Sequence, residues 1–187
     1  MTLASDQKIW TDAEFMALPD GDRYELINGE LITVGNSGME HGNLGAFLAG
    51  AIEFHVRSRK LGATCDSSTA FTMKSGNRRS PDVSFVSRER LQGLKRLPKG
   101  YLQGAPDLAV EIISPSNTFE EIHNKIVEYF DNGSRLVWVV HPDEKSVLVY
   151  HQPEPDRLLT TSDYLNGEDV IPDFSLPVAA LFIELEF

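Results

Sequence analysis

One carboxylate stands where an apolar residue would ordinarily be expected. Glu111 interrupts the run "PDLAVEII", which otherwise reads as a buried strand. Side chains alternate faces along a strand, so Leu108, Val110 and Ile112 share one side while Asp107, Ala109, Glu111 and Ile113 share the other. A carboxylate buried there without a partner costs several kcal/mol, so it must meet a cation, bind a metal or take up a proton. Asp107 is about 13 Å away along the same strand, at ~3.3 Å per residue, too far to share one ion. Asp82 in "SPDVSFV" opens a second short strand, and neighbouring strands lie about 4.8 Å apart. Paired across them, Asp82 and Glu111 would offer oxygen ligands to one divalent cation, with the Ile112 carbonyl as a third.

The next segment, "SNTFEEIHNKIVEYFDNG", reads as a helix. Thr118 and Glu121 form a capping box, and Gly133 follows its end. Phe119, Ile122, Ile126 and Phe130 make the expected apolar stripe, which leaves Lys125 about 110° from its centre, at the shoulder between core and solvent. The residues alone leave two uses open for that lysine. It can reach a pocket at the end of the preceding strand, or it can pair on the surface with Glu121, worth only ~0.3–0.5 kcal/mol.

The elements that must position these groups follow from the pattern on either side. "WTDAEFMALPD" predicts a short helix capped by Thr11 and Glu14 and ended by Pro19. Tyr24 to Ile27 and Glu30 to Val34 flank Asn28-Gly29, the strongest short hairpin signal, because both turn residues take positive φ. Leu44, Phe47, Leu48, Ala51, Ile52 and His55 repeat at helical spacing from Glu40 to about Arg59, with Gly45 and Gly50 weakening that helix or marking close packing. Short β-rich runs follow at 62–66, 70–74 and 82–86, then a loop-like stretch to Gly104. After the strand 107–113 and the helix come "RLVWVV", "SVLVYH" and "RLLTTS", and a tail with two prolines. The reading is one α/β domain over residues 1–187, with a mixed sheet and a core order of helix, three strands, helix, strand.

Composition is that of a globular chain, with 41% hydrophobic and 24% charged residues, which argues against disorder or a fibrous repeat. No secretory leader or membrane helix is predicted, and the single Cys65 rules out an internal disulfide or a cysteine zinc cluster; a cytoplasmic protein is expected. The net charge of −11 opposes a polyanionic partner, yet its distribution is uneven. Residues 1–99 hold 13 of the 17 basic side chains against 12 acids, whereas residues 100–187 hold 4 against 16. The basic residues are densest from Lys74 to Lys99, which permits a local nucleic-acid face and equally suits a solvated loop.

In order and spacing, "RYELINGELI", "HGNLGAFL", "RRSPDVSFV" and "PDLAVEIISPSNTFEEIHNKIVEYFDNGSRLVWVVHP" resemble the Uma family of restriction endonuclease-like proteins, part of the PD-(D/E)XK nuclease superfamily. The resemblance runs from about Arg23 to Pro142. The superfamily motif closes on a lysine two residues after the acid, where this chain has Ile113, and in this family a lysine of the following helix is thought to replace it. The resemblance therefore implies a restriction endonuclease-like core whose catalytic residues are Asp82, Glu111 and Lys125. It implies Mg²⁺ or Mn²⁺ on Asp82, Glu111 and Ile112, and hydrolysis of phosphodiester bonds in nucleic acid, DNA first. Arg78, Arg79, Lys95 and Arg96 would hold the nucleic-acid backbone. Glu25 and His41 fall on family motif positions as accessory residues, each with a bland counterpart: a solvent-facing hairpin residue, and a histidine near a helix end. Glu120 and Glu121 depart from the aspartate usual at that place. A homodimer is expected. The competing expectations are a catalytically silent binding or regulatory module, in which Glu111 and Lys125 form a metal-free ion pair, and hydrolysis of a phosphate ester outside nucleic acid.

Overall fold

The computed structural model describes residues 8–19, 21, 24–33 and 38–184. Its elements, in chain order, begin with α1 (Asp12–Met16), the strands β1 (Tyr24–Ile27) and β2 (Glu30–Thr33), and α2 (Met39–Arg59). Then come β3 (Gly62–Asp66), β4 (Phe71–Thr72), β5 (Arg78–Arg79), β6 (Val83–Ser87), β7 (Leu102–Gln103) and β8 (Leu108–Ile112). α3 (Phe119–Asp131) leads into β9 (Leu136–His141), β10 (Ser146–Tyr150), β11 (Pro155–Leu159), β12 (Tyr164–Asn166), β13 (Ser175–Pro177) and a 3-10 helix over Val178–Phe182.

The core is a six-stranded mixed sheet in the order β11-β10-β9-β8-β6-β3. β8 and β9 are parallel, as their connection through α3 requires, and the other neighbours are antiparallel. Both faces are covered. Leu44, Leu48, Ile52 and Val56 of α2 pack on the side shown by Leu108, Val110 and Ile112, whereas Ile122, Ile126 and Tyr129 of α3 pack on the side of Ala109, Val137 and Val139. This two-sided burial explains why β8 reads as a continuous apolar run. A second sheet, β2-β1-β5-β4-β7, adds Phe71 and Met73 to the α3 side.

Local chemistry sets most boundaries as expected. Asn28 (φ 50°) and Gly29 (φ 80°) make the β1–β2 turn, and both predicted capping boxes form, at Thr11/Glu14 and Thr118/Glu121. Gly45 faces β8, but a Cβ there would make ordinary van der Waals contact, 3.6 Å, with Ile112 Cδ1, so the packing does not demand a glycine. The predicted end of β2 at Val34 lies outside the described residues.

Two helix faces differ from their sequence reading. On α2 the buried residues are Leu44, Leu48, Ile52 and Val56, a straight i, i+4 row, while Phe47 is 42% exposed. On α3, Phe119 is 85% exposed and stacks flat against His123, with ring centroids 5.8 Å apart. The fully buried aromatic of α3 is Tyr129, so the stripe is centred nearer to Lys125 than the apolar residues suggested. β5 and β7 were hidden because a two-residue strand carries no periodicity.

Thr118 fixes where α3 begins and hence where Lys125 falls. Thr118→Ala removes its side chain from the Glu121 N–H and should cost about 1 kcal/mol in urea unfolding. An unchanged midpoint would mean that tertiary packing alone sets the start of the helix.

Candidate active site

The register between β6 and β8 brings the two carboxylates together. Val83 pairs with Val110 and Ser84 with Ala109, so Asp82, one residue ahead of β6, falls opposite Glu111. Asp82 Oδ2 accepts the Ile112 N–H at 2.7 Å and lies 3.2 Å from His41 Nε2 in the first turn of α2. The hydrogen bond that His41 donates to Asp82 raises its pKa above the ordinary value, and the Ile112 backbone acts in the same sense.

Glu111 is only 3% exposed, and its charge is satisfied from one helix. Lys125 Nζ donates to Oε2 at 3.0 Å and the Tyr129 hydroxyl donates to Oε1 at 2.5 Å. Residues i and i+4 share a helix face, so Lys125 and Tyr129 aim at the same carboxylate. Burial pushes Glu111 up, and the Lys125 ammonium opposes that shift. Burial alone would lower Lys125, but Glu111 and then Glu25 hold it charged, so its pKa rises. Burial and the neighbouring Glu111 carboxylate raise the Tyr129 phenol, which stays the donor.

The alternative surface pairing of Lys125 with Glu121 does not form; Glu121 caps the helix instead. Lys125 lies 3.7 Å from Glu25, whose carboxylate is buried rather than facing solvent and accepts the Ser80 N–H at 3.0 Å and Arg79 Nη1 at 3.1 Å. Arg79 Nε also donates to Glu128 Oε2 at 2.6 Å. Glu128 in turn takes hydrogen bonds from Asn77 Nδ2 and Ser75 Oγ. Asp82, Glu111, Lys125, Glu25 and His41 therefore converge.

The four basic residues separate. Arg78 is 3% exposed, stacked over Tyr101 at 4.3 Å, and Arg79 is held between two carboxylates. Lys95 and Arg96 are exposed, in the segment that follows the end of β6 far from Asp82. Asp107 is buried at that far end as well, accepting the Ser87 N–H.

Sequence reasoning missed Tyr129 and Glu128. The available signal was spacing: polar side chains three and four residues beyond a lysine aimed into a pocket lie beside it on the helix.

Among the described residues no three His, Cys, Asp or Glu side chains form a ready cation cage. Two carboxylates in paired register with the adjacent Ile112 carbonyl nevertheless make an all-oxygen donor set, which suits a hard cation such as Mg²⁺ or Mn²⁺. Asp82 Oδ1 has no hydrogen bond among the described residues, which leaves it available as a ligand. The residues present fit such an ion.

Tyr129→Phe leaves Glu111 Oε1 buried without its donor. It should destabilise the protein by about 1–3 kcal/mol in urea unfolding; a loss below a few tenths would show that water or Lys125 takes over the bond.

Residues 12–179 match the family described as "Uma2: Putative restriction endonuclease". A crystal structure described as "a putative nuclease belonging to DUF820", from Anabaena variabilis, superposes with a TM-score of 0.80. It is 21% identical, and the alignment covers 91% of this chain and 96% of that one. That likeness carries the restriction endonuclease-like fold. No curated protein matches the chain. With the match spanning most of its length, the chain belongs to the Uma2 family.

Proposed function

We propose that this protein is a metal-dependent nuclease that hydrolyses phosphodiester bonds of DNA, leaving a 5′-phosphate and a 3′-hydroxyl. The observation that carries the reading is the meeting of Asp82 just ahead of β6, Glu111 on β8 and Lys125 on α3 at one end of the sheet. Asp82, Glu111 and the Ile112 carbonyl would hold Mg²⁺ or Mn²⁺, which supplies Lewis-acid polarisation of the phosphodiester and of its attacking water. Lys125 places a fixed positive charge beside the reacting phosphoryl group, where it offsets negative charge that grows in the transition state. Tyr129 keeps the Glu111 carboxylate from turning, and His41 does the same for Asp82.

Contacts to the nucleic-acid backbone fall to exposed Lys95 and Arg96. They follow β6, whose five residues carry the chain about 16 Å from Asp82 at ~3.3 Å per residue, and on this reading they touch phosphates away from the scissile one. Such contacts make binding salt-dependent. We place the protein in the cytoplasm as a homodimer. Among the described residues no helix is long and apolar enough to cross a membrane, and β3 leaves one edge of the main sheet free.

The silent-module reading rests on one observation: Lys125 already neutralises Glu111. Cleavage assays separate the two. Wild-type protein with Mg²⁺ or Mn²⁺ should nick and degrade DNA, and Asp82→Ala and Glu111→Ala should each lower the rate by at least about 100-fold with the circular dichroism unchanged. Equal rates for wild type and both variants would remove these residues from catalysis, and an inert wild type would favour the silent module.

A further inference from the structure

One ammonium lies between two buried carboxylates. Lys125 Nζ is 3.0 Å from Glu111 and 3.7 Å from Glu25, with side-chain exposures of 18%, 5% and 7%. The two acids are held differently. Among the described residues Glu111 keeps only a phenol besides the lysine, and its paired register with Asp82 makes it a cation ligand in the metal-dependent reading, on which this inference rests. Glu25 is fixed from behind: Ser80 N–H binds Oε1, and Arg79 Nη1 binds Oε2. Arg79 is itself fixed by Glu128, which Asn77 and Ser75 hold in place. With both oxygens engaged, Glu25 is poorly placed to turn toward a cation.

We propose that Glu25 is the alternative partner for Lys125: when a divalent cation takes Glu111, the ammonium passes to Glu25 and stays in the pocket. Without Glu25, a cation held by Glu111 and Asp82 would leave Lys125 largely buried with no carboxylate left to pair with it, which is costly. The lysine would then compete with the cation for Glu111. Arg79, through its grip on Glu25, is a positioning residue for Lys125 rather than a contact to nucleic acid. The arrangement also supplies a use for the lysine's displacement from the strand to the helix, since a helix side chain at the rim can lean toward either acid.

The test is a double-mutant cycle read by Mn²⁺ calorimetry on the full chain. Glu25→Gln should weaken Mn²⁺ binding about ten-fold, the scale of one lost charged hydrogen bond, while Lys125→Met should bind at least as tightly as wild type. In the Lys125→Met background Glu25→Gln should have no effect. Glu25→Asp, which keeps a charge for Arg79 while drawing it back from Lys125, should show an intermediate loss, again only when Lys125 is present; it serves as the readout if Glu25→Gln fails to fold by its melting curve. Equal weakening with and without Lys125 would make Glu25 a direct ligand or a scaffold residue and overturn the inference, as would no weakening at all. Those outcomes leave the metal-dependent reading standing, whereas wild-type protein that binds no Mn²⁺ overturns both.

Discussion

A carboxylate carried into the interior on a β-strand must bring its counter-charge with it, and the arrangement around Glu111 follows from that constraint. The cost of leaving such a charge unpaired, several kcal/mol, is a sizeable fraction of the ~5–15 kcal/mol by which a domain is stable. The solution here is one helix face. Lys125 and Tyr129 lie one turn apart on α3 and reach the two oxygens of Glu111 separately, so the helix must start at a fixed residue and pack at a fixed rotation. The Thr118–Glu121 capping box supplies the first condition, and burial of Ile122 and Ile126 against the sheet supplies the second.

The same constraint explains the polar layer between α3 and the second sheet. Lys125 leans out of the core stripe toward Glu25, which sits on a hairpin strand, and Arg79 and Glu128 close a chain of alternating charges behind it. Each member of that chain is satisfied by the next, as a buried polar network requires if it is not to cost more than an apolar core. The small sheet, whose strands are too short to be stable alone, is thus held to the main body by apolar contacts through Phe71 and Met73 and by this network. The candidate site lies where the two meet.

Much of this was legible in the sequence, for reasons that can be named. Capping boxes and an Asn-Gly turn are local chemistry, readable wherever they occur. The partnership of Asp82 with Glu111 was legible because a strand has period two and a charge in an apolar run demands an explanation. Tyr129 was not legible, because a tyrosine on a helix face reads as core whether or not its hydroxyl has a task. Phe119 was misplaced into the core because apolar periodicity cannot tell a buried first-turn residue from one stacked in solvent on His123. Arg78 and Arg79 counted toward a basic patch by composition, yet burial against Tyr101 and between Glu25 and Glu128 takes both from the surface. Charge density along a chain does not report which side chains face outward.

The central claim is that the lysine absent at position 113 is supplied by Lys125 at a cation site formed by Asp82 and Glu111. The most direct measurement is a crystal structure with Mn²⁺, read from its anomalous signal. The account predicts one peak within about 2.0–2.6 Å of an Asp82 oxygen, a Glu111 oxygen and the Ile112 carbonyl, with Lys125 Nζ in the same pocket. No peak between the two carboxylates at saturating Mn²⁺, or a peak there with Lys125 swung out to solvent, would contradict it.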